Sequence, residues 1–177
     1  MAAKGFEFED QPWFPPHWRR WQMDYIRFCI RLMNPYKDLK GARFEGSKQD
    51  WLDLASGTGG PARMLKKTWE ENSNIELMLT LSDRYPSDKN ILDIDVLLDK
   101  LPPSDGYTMF NAFHHFNTQE QEQILLKVSK GNWAIVAEPL TPSLFTFIGI
   151  FFLTGPLHFL LAPFVSPFSW ARLFGLI

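Results

Sequence analysis

Trp51-Leu52-Asp53-Leu54-Ala55-Ser56-Gly57-Thr58-Gly59-Gly60-Pro61 reads as a short apolar strand ending in an acid, then a glycine loop, then the start of a helix. Asp53 falls where such a strand would leave its sheet. Gly57 and Gly59 can take the positive backbone angles of a tight turn and admit a ligand to the main chain, which a Cβ would block. Pro61 suits the first helical position, because the N–H it lacks would have no partner there. Strand, loop and helix together make a nucleotide cradle, and the spacing separates one nucleotide from another. A dinucleotide fold asks for G-x-G-x-x-G with a pyrophosphate on the helix N-terminus. Here Ala55 holds the first glycine place, so that pattern is met only loosely.

Further pieces follow in order. Leu77-Met78-Leu79-Thr80-Leu81-Ser82-Asp83 is a second apolar strand ending in an acid, 24 residues past Gly59. Two ionised carboxylates can each accept strong hydrogen bonds from ligand hydroxyl and ammonium groups. Ile91-Leu92-Asp93-Ile94-Asp95-Val96 reads as a third strand. Tyr107 to Phe110 reads as a fourth, with Asn111-Ala112-Phe113-His114-His115-Phe116 in the loop after it. Trp133 to Ala137 reads as a fifth, leaving through Glu138-Pro139. Between the last two, Thr118 is placed to cap a helix from Gln119 to Ser129, with Gly131 just beyond its end.

The acid, the small residue and the G-x-G after it resemble motif I of the class I S-adenosylmethionine-dependent methyltransferases, and the later pieces fall in that family's order. The resemblance implies a doubly wound, mostly parallel Rossmann-like α/β sheet with S-adenosyl-L-methionine as cofactor. It implies that Asp53, Ala55, Ser56, Gly57, Thr58 and Gly59 pack against the methionine part and that Asp83, with Arg84 beside it, holds the ribose hydroxyls. Asp95 and Val96 would face the adenine, Asp93 being the rival to Asp95, while Asn111, Ala112 and Phe113 border the cofactor from the fourth strand. Residues 9–15, EDQPWFP, and the Asp83-Arg84-Tyr85-Pro86 run are similar to a narrower group of bacterial-type methyltransferases. The family sheet has seven strands, ordered 3-2-1-4-5-7-6 with the last antiparallel. Five candidates are found here, so a C-terminally truncated member is expected.

Methyl transfer from a sulfonium is a direct displacement, in which the protein chiefly aligns acceptor and methyl and excludes water. A base is needed only where the acceptor must lose a proton. His114 and His115 are candidates, since histidine changes charge near neutral pH, and Glu138 is similarly placed at the end of strand five. Each has a plain structural alternative in packing or solvation. The four histidines lack metal-ligand spacing, and no metal is expected.

The 177 residues, 45% hydrophobic and 15% aromatic, can fill one core. A net charge of −2 with scattered basic residues gives no indication of a nucleic-acid partner. Cys29, the single cysteine, permits no internal disulfide and suits a reducing, cytoplasmic compartment, and the N-terminus lacks the apolar region of a secretory signal. Residues 1–40 read as an aromatic leader, in which Trp18, Trp21, Tyr25, Phe28 and Leu32 recur at helical spacing before Asn34-Pro35. That helix is expected either to pack on the sheet domain or to serve as a lid. Residues 41–142 form the cofactor-binding core, and 143–177 an apolar helical extension without Asp, Glu, Lys or Arg before Arg172. Residues 144–165 are long enough to cross a bilayer, yet Gly149, Gly155, Pro156 and Pro163 interrupt them. An apolar wall or membrane-surface element near the acceptor site, a membrane-inserted hairpin or span, ordinary core helices and a self-association surface are all open readings.

The acceptor is expected to be a small molecule, with an apolar one suiting the uncharged tail. Two other function classes compete: a nicotinamide enzyme, which Ala55 and the His114-His115-Phe116 segment disfavour, and a non-catalytic methyltransferase-fold protein acting through a partner or membrane surface.

Overall fold

The computed structural model describes residues 13–36, 39, 46–73, 75–86, 88–138, 148–149, 152, 156–166 and 168. Residues 34–138 make up one compact unit among these, and residues 13–33 with the described positions from 148 onward make up a second.

The first unit is built on five strands: β1 (Lys48–Leu54), β2 (Glu76–Asp83), β3 (Ile91–Asp93), β4 (Gly106–Phe110) and β5 (Trp133–Ala137). They form one sheet in the order β3-β2-β1-β4-β5, and every pairing is parallel. This is a Rossmann-like α/β fold, as the order of apolar runs in the sequence predicts. The central strands read as unbroken buried runs because both faces of a parallel sheet are covered. All five positions of β4 are buried, as are Trp51, Leu52, Asp53 and Leu54 of β1.

Successive side chains of a strand point to opposite faces, so β1 serves two cores. On one face Leu52 and Leu54 join Tyr107, Met109, Ile124 and Val128. The last two come from the helix Thr118–Val128. On the other face Trp51 meets Trp69 edge-on at 4.7 Å and Trp133 at 4.8 Å between ring centroids. Trp69 lies on the helix Gly60–Asn72, which follows the glycine loop. Among the described residues, the α-helices with described bounds are, in chain order, α1 (Pro16–Met33), α2 (Gly60–Asn72), α3 (Thr118–Val128) and α4 (Pro156–Leu161).

Local details shift the expected boundaries. α2 begins at Gly60 with Gly59 as its cap, which puts Pro61 at the second helical position. α3 is capped by Asn117 rather than Thr118. The Asn117 side chain accepts from the N–H groups of Gln119 and Glu120, and the Asn117 N–H in turn donates to the Glu120 carboxylate at 2.8 Å. This reciprocal box satisfies more of the helix's unpaired donors than a Thr118 cap would, which decides the boundary. Asn117→Ala should therefore cost about 1 kcal/mol of stability, read from denaturant unfolding. β3 ends at Asp93, so Asp95 lies in the turn beyond it.

In the second unit, α1 buries Tyr25 and Cys29 against Val165, with Phe28 and Leu161 alongside. His158 of α4 meets the Tyr25 ring edge-on at 4.7 Å. The expected apolar stripe is corrected at its ends, since Trp18 and Leu32 are exposed. The packing partner is a short helix and turn, which covers only the middle of α1. Its C-terminus fits the reading, because Asn34 takes a left-handed φ of 44° just after Met33, and Pro35 follows. Much of 144–165, and residues 1–12 and 40–45, lie outside the described residues. No described helix is long and apolar enough to cross a membrane.

Candidate functional site

Because all five strands are parallel, their carboxyl ends share one edge of the sheet. Asp53, Asp83, Asp93, Asn111 and Glu138 all stand at strand ends or one step beyond them on that edge. The strand order reverses direction between β1 and β4, which is the topological switch point at which open α/β sheets bind their ligands.

The loop after β1 carries three left-handed residues: Ala55 (φ 50°), Gly57 (φ 56°) and Gly59 (φ 70°). A Cβ on Gly59 would lie 2.3 Å from Cδ1 of Leu81 in β2, so a side chain there would require Leu81 to move aside, on top of the left-handed backbone. Ser56 fastens the loop to its neighbour strand. Its N–H donates to the Ser82 carbonyl at 2.9 Å, and its hydroxyl donates to the Asp53 carbonyl at 2.9 Å while accepting from the Ser82 N–H at 3.2 Å. Asp83 completes the turn by accepting from the Gly57 N–H at 2.7 Å through Oδ2 and from the Tyr85 N–H at 2.8 Å through Oδ1. A carboxylate has about four lone-pair positions, so two remain for a ligand.

Asp53 is 2% exposed, and Oδ1 accepts from the Thr108 hydroxyl at 2.6 Å. Burial pushes its carboxyl up from 3.8 to about 7, against the opposing hydrogen bonds from Thr108 and Ser56, with a further upward push from the Asp83 charge. An acid held in this way has its charged form made costly by the fold itself.

The loop after β4 begins at Asn111, whose φ of 52° is left-handed. Ala55 and Asn111 thus face each other in topology: two non-glycine residues in a strained conformation, each just past the end of a central strand. Strain of this kind collects at ligand sites. The Oδ1 of Asn111 is buried and has no hydrogen-bond partner among the described residues. Ala112 is buried in the sheet core and Phe113 packs beside it.

Glu138 joins two features that the sequence presents separately. Oε1 accepts from the Phe113 N–H and Oε2 meets Nδ1 of His114, both at 2.7 Å. His115 stacks on His114 with ring centroids 4.2 Å apart. The His114 side chain is about half exposed.

Around β3 the expected adenine residues hold one another. Asp95 Oδ1 accepts from the N–H groups of Leu97 and Leu98, while Oδ2 pairs with Arg84 Nε at 3.3 Å. Asp93 is exposed. The Val96 side chain is buried in the core, and its carbonyl accepts from Lys127 Nζ at 2.8 Å. Thr58 lies half-buried in the glycine loop.

Sequence reading missed three residues of this site. Thr108 carries a visible signal, a lone polar residue within a buried strand. Lys127 clamps the turn after β3 through the Val96, Leu97 and Asp99 carbonyls, which no local pattern shows. Tyr36 lies just past α1, its ring edge-on to Phe110 at 5.0 Å, and its buried hydroxyl has no hydrogen-bond partner among the described residues. Burial, reinforced by the Glu138 and Asp53 carboxylates, raises the Tyr36 phenol well above its ordinary value and keeps it a neutral donor.

No family model, curated protein or solved structure matches this chain.

Proposed function

We propose that this edge of the sheet binds S-adenosylmethionine and that the protein transfers its methyl group to a small acceptor. The observation that carries this reading is the pair of acids bracketing the glycine loop, buried Asp53 at the end of β1 and Asp83 at the end of β2. A cradle lined by carboxylates favours a cationic ligand bearing an ammonium and a sulfonium. It repels a pyrophosphate, and Pro61 also removes one of the N-terminal amides that a pyrophosphate would use. The nicotinamide alternative is weakened on both counts.

The residues fit the cofactor by the test of unpaired groups. Asn111 Oδ1 lacks a donor and Asp53 lacks a counter-charge, and an ammonium supplies both. Asp83 retains lone pairs for ribose hydroxyls, and the exposed Arg84 can release Asp95 Oδ2 toward an adenine amino group. The bound cofactor would supply an electrophilic methyl. The protein's part is to orient it and to exclude water.

Calorimetric titration with S-adenosylmethionine and S-adenosylhomocysteine tests this. Affinity of about micromolar, equivalent to about −8 kcal/mol, is expected, with no binding of NAD. Asp83→Asn should weaken it at least tenfold. The asparagine keeps one of the two acceptors that hold the loop, where alanine would lose both and unsettle Gly57. Absence of binding by a folded sample would overturn the reading.

A second reading, a non-catalytic protein acting at a membrane surface, on a partner or on itself, draws on α4. Leu157, Phe159 and Leu160 there are exposed, as is Phe164 in the turn after it. It gains only if the titration fails.

A further inference from the structure

Beyond β3 the chain makes one helical turn that does not continue. The Ile94 N–H donates to the Asp83 carbonyl at 3.1 Å and ties the start of the turn to β2. Within it, the Asp99 N–H donates to the Asp95 carbonyl at 2.8 Å, the Asp95 N–H to Asp99 Oδ2 at 2.7 Å, and the N–H groups of Leu97 and Leu98 to Asp95 Oδ1 at 2.9 and 3.2 Å. In a longer helix the carbonyls of Val96, Leu97 and Asp99 would accept from N–H groups one turn further on. That next turn is blocked. Pro103 has no N–H to offer Asp99, and Pro102 pushes Leu101 away from helical backbone. A side chain from α3 takes the place of the missing donors. Lys127 Nζ donates to the Val96, Leu97 and Asp99 carbonyls at 2.8, 2.7 and 2.8 Å, so the protons of one ammonium are matched by as many acceptors. The turn is thus tied to β2 at its start and to α3 at its end. Asp95 sits inside it with Oδ1 spent on the turn's own N–H groups, and the exposed Arg84 is on Oδ2. The direction of Oδ2 therefore follows the turn that Lys127 closes.

We infer that Lys127 is the positioning residue for base recognition: its ammonium closes the turn that aims Asp95 Oδ2, and so sets the preference for a base bearing an exocyclic amino group over one bearing an oxo group. This rests on the S-adenosylmethionine reading above and extends it to a residue of α3 that acts only through the turn. The ammonium serves here as a built-in cation, a compact donor on which three carbonyls converge.

The test titrates the full chain calorimetrically with S-adenosylhomocysteine and with S-inosylhomocysteine, in which a carbonyl oxygen replaces the adenine amino group and brings no proton to Asp95. The wild type should favour the adenine ligand by about 10-fold to 100-fold, the range of one hydrogen bond to a charged group. Lys127→Met keeps most of the stem and removes the donors, and should bring the ratio to about threefold or less. Lys127→Arg keeps the charge but offers a planar fork where the carbonyls converge on one point, so it should lower the ratio as well, and it carries the test if Lys127→Met does not fold. In Lys127→Ala, n-propylammonium replaces the lost methylenes and ammonium and should restore the ratio. Tetramethylammonium, a cation without an N–H, should not. A wild type that binds both ligands alike, a ratio unmoved in the folded Lys127 variants, or equal rescue by the two cations would each overturn the inference while S-adenosylhomocysteine binding keeps the reading beneath it. A folded wild type that binds neither ligand overturns both.

Discussion

Asp53→Asn should make the ligand-free protein more stable above pH 7 and, at the same time, a poorer binder of S-adenosylmethionine. The sign follows from proton linkage. In the unfolded chain this carboxyl titrates at its ordinary 3.8, and in the fold at about 7. Between these values the folded state holds the extra proton. Stability is therefore greatest below the unfolded value, falls as pH rises through the window, and is flat above about pH 7. The shift is worth about 4 kcal/mol across the window, at about 1.4 kcal/mol per pH unit. Asparagine keeps an oxygen for the Thr108 hydroxyl and carries no charge, so its unfolding free energy should match the wild type near pH 4 and exceed it increasingly toward pH 7. For a chain of this size the gap at pH 8 is on the order of 10 °C in melting temperature. A difference that does not vary with pH would show that Asp53 is not held as the fold implies. Lost binding together with gained stability is the signature of a group retained for its ligand, because a buried carboxylate without a counter-charge otherwise only weakens the fold.

What could be read from the sequence follows from the range of the interactions. The glycine loop and the strand-end acids are local: Gly57, Gly59, Asp53 and Asp83 announce themselves through apolar runs and turn chemistry within a few positions. The sheet order then follows from parallel connections of ordinary length. The pairing of His114 with Glu138 spans 24 residues and depends on β4 and β5 lying side by side with Phe110 opposite Ala137. Each residue was a candidate by itself, and only the register joins them. Tyr36 was hidden for a similar reason, since nothing around Asn34-Pro35-Tyr36 marks a hydroxyl that ends near the carboxyl edge of a distant strand. The cap of α3 was misplaced by one residue because Asn117 and Thr118 are both good caps, and the choice rests on Glu120 lying three positions after the former.

Gly106→Ala should cost more than a methyl group added at Gly46, Gly59, Gly131 or Gly149. Gly106 opens β4 and stands opposite Trp51 on one side and Trp133 on the other. A Cβ there would lie 2.0 Å from Cε2 and Cζ2 of Trp133, well inside contact distance. A flexible side chain could move aside, but this indole is held edge-on by Trp51 at 4.8 Å and Trp69 at 6.2 Å, and its N–H donates to Gln49 Oε1 at 3.2 Å. Relief must come from β4 and β5 moving apart or from expulsion of Trp133, and either exceeds the usual penalty for an added core methyl group. We expect a loss of about 3 kcal/mol or more by denaturant unfolding. Trp133→Leu in the same chain should recover part of it, a non-additivity that ties the cost to this one contact. Wild-type stability in Gly106→Ala would refute the packing described. The consequence reaches the site, because the same two strands carry Asn111 and Glu138 at their ends. A displaced β5 breaks the bond from the Asn111 N–H to the Ala137 carbonyl and withdraws Glu138 from His114. The tryptophan cluster at the amino end of β4 and β5 therefore sets the geometry of the dyad at their carboxyl end.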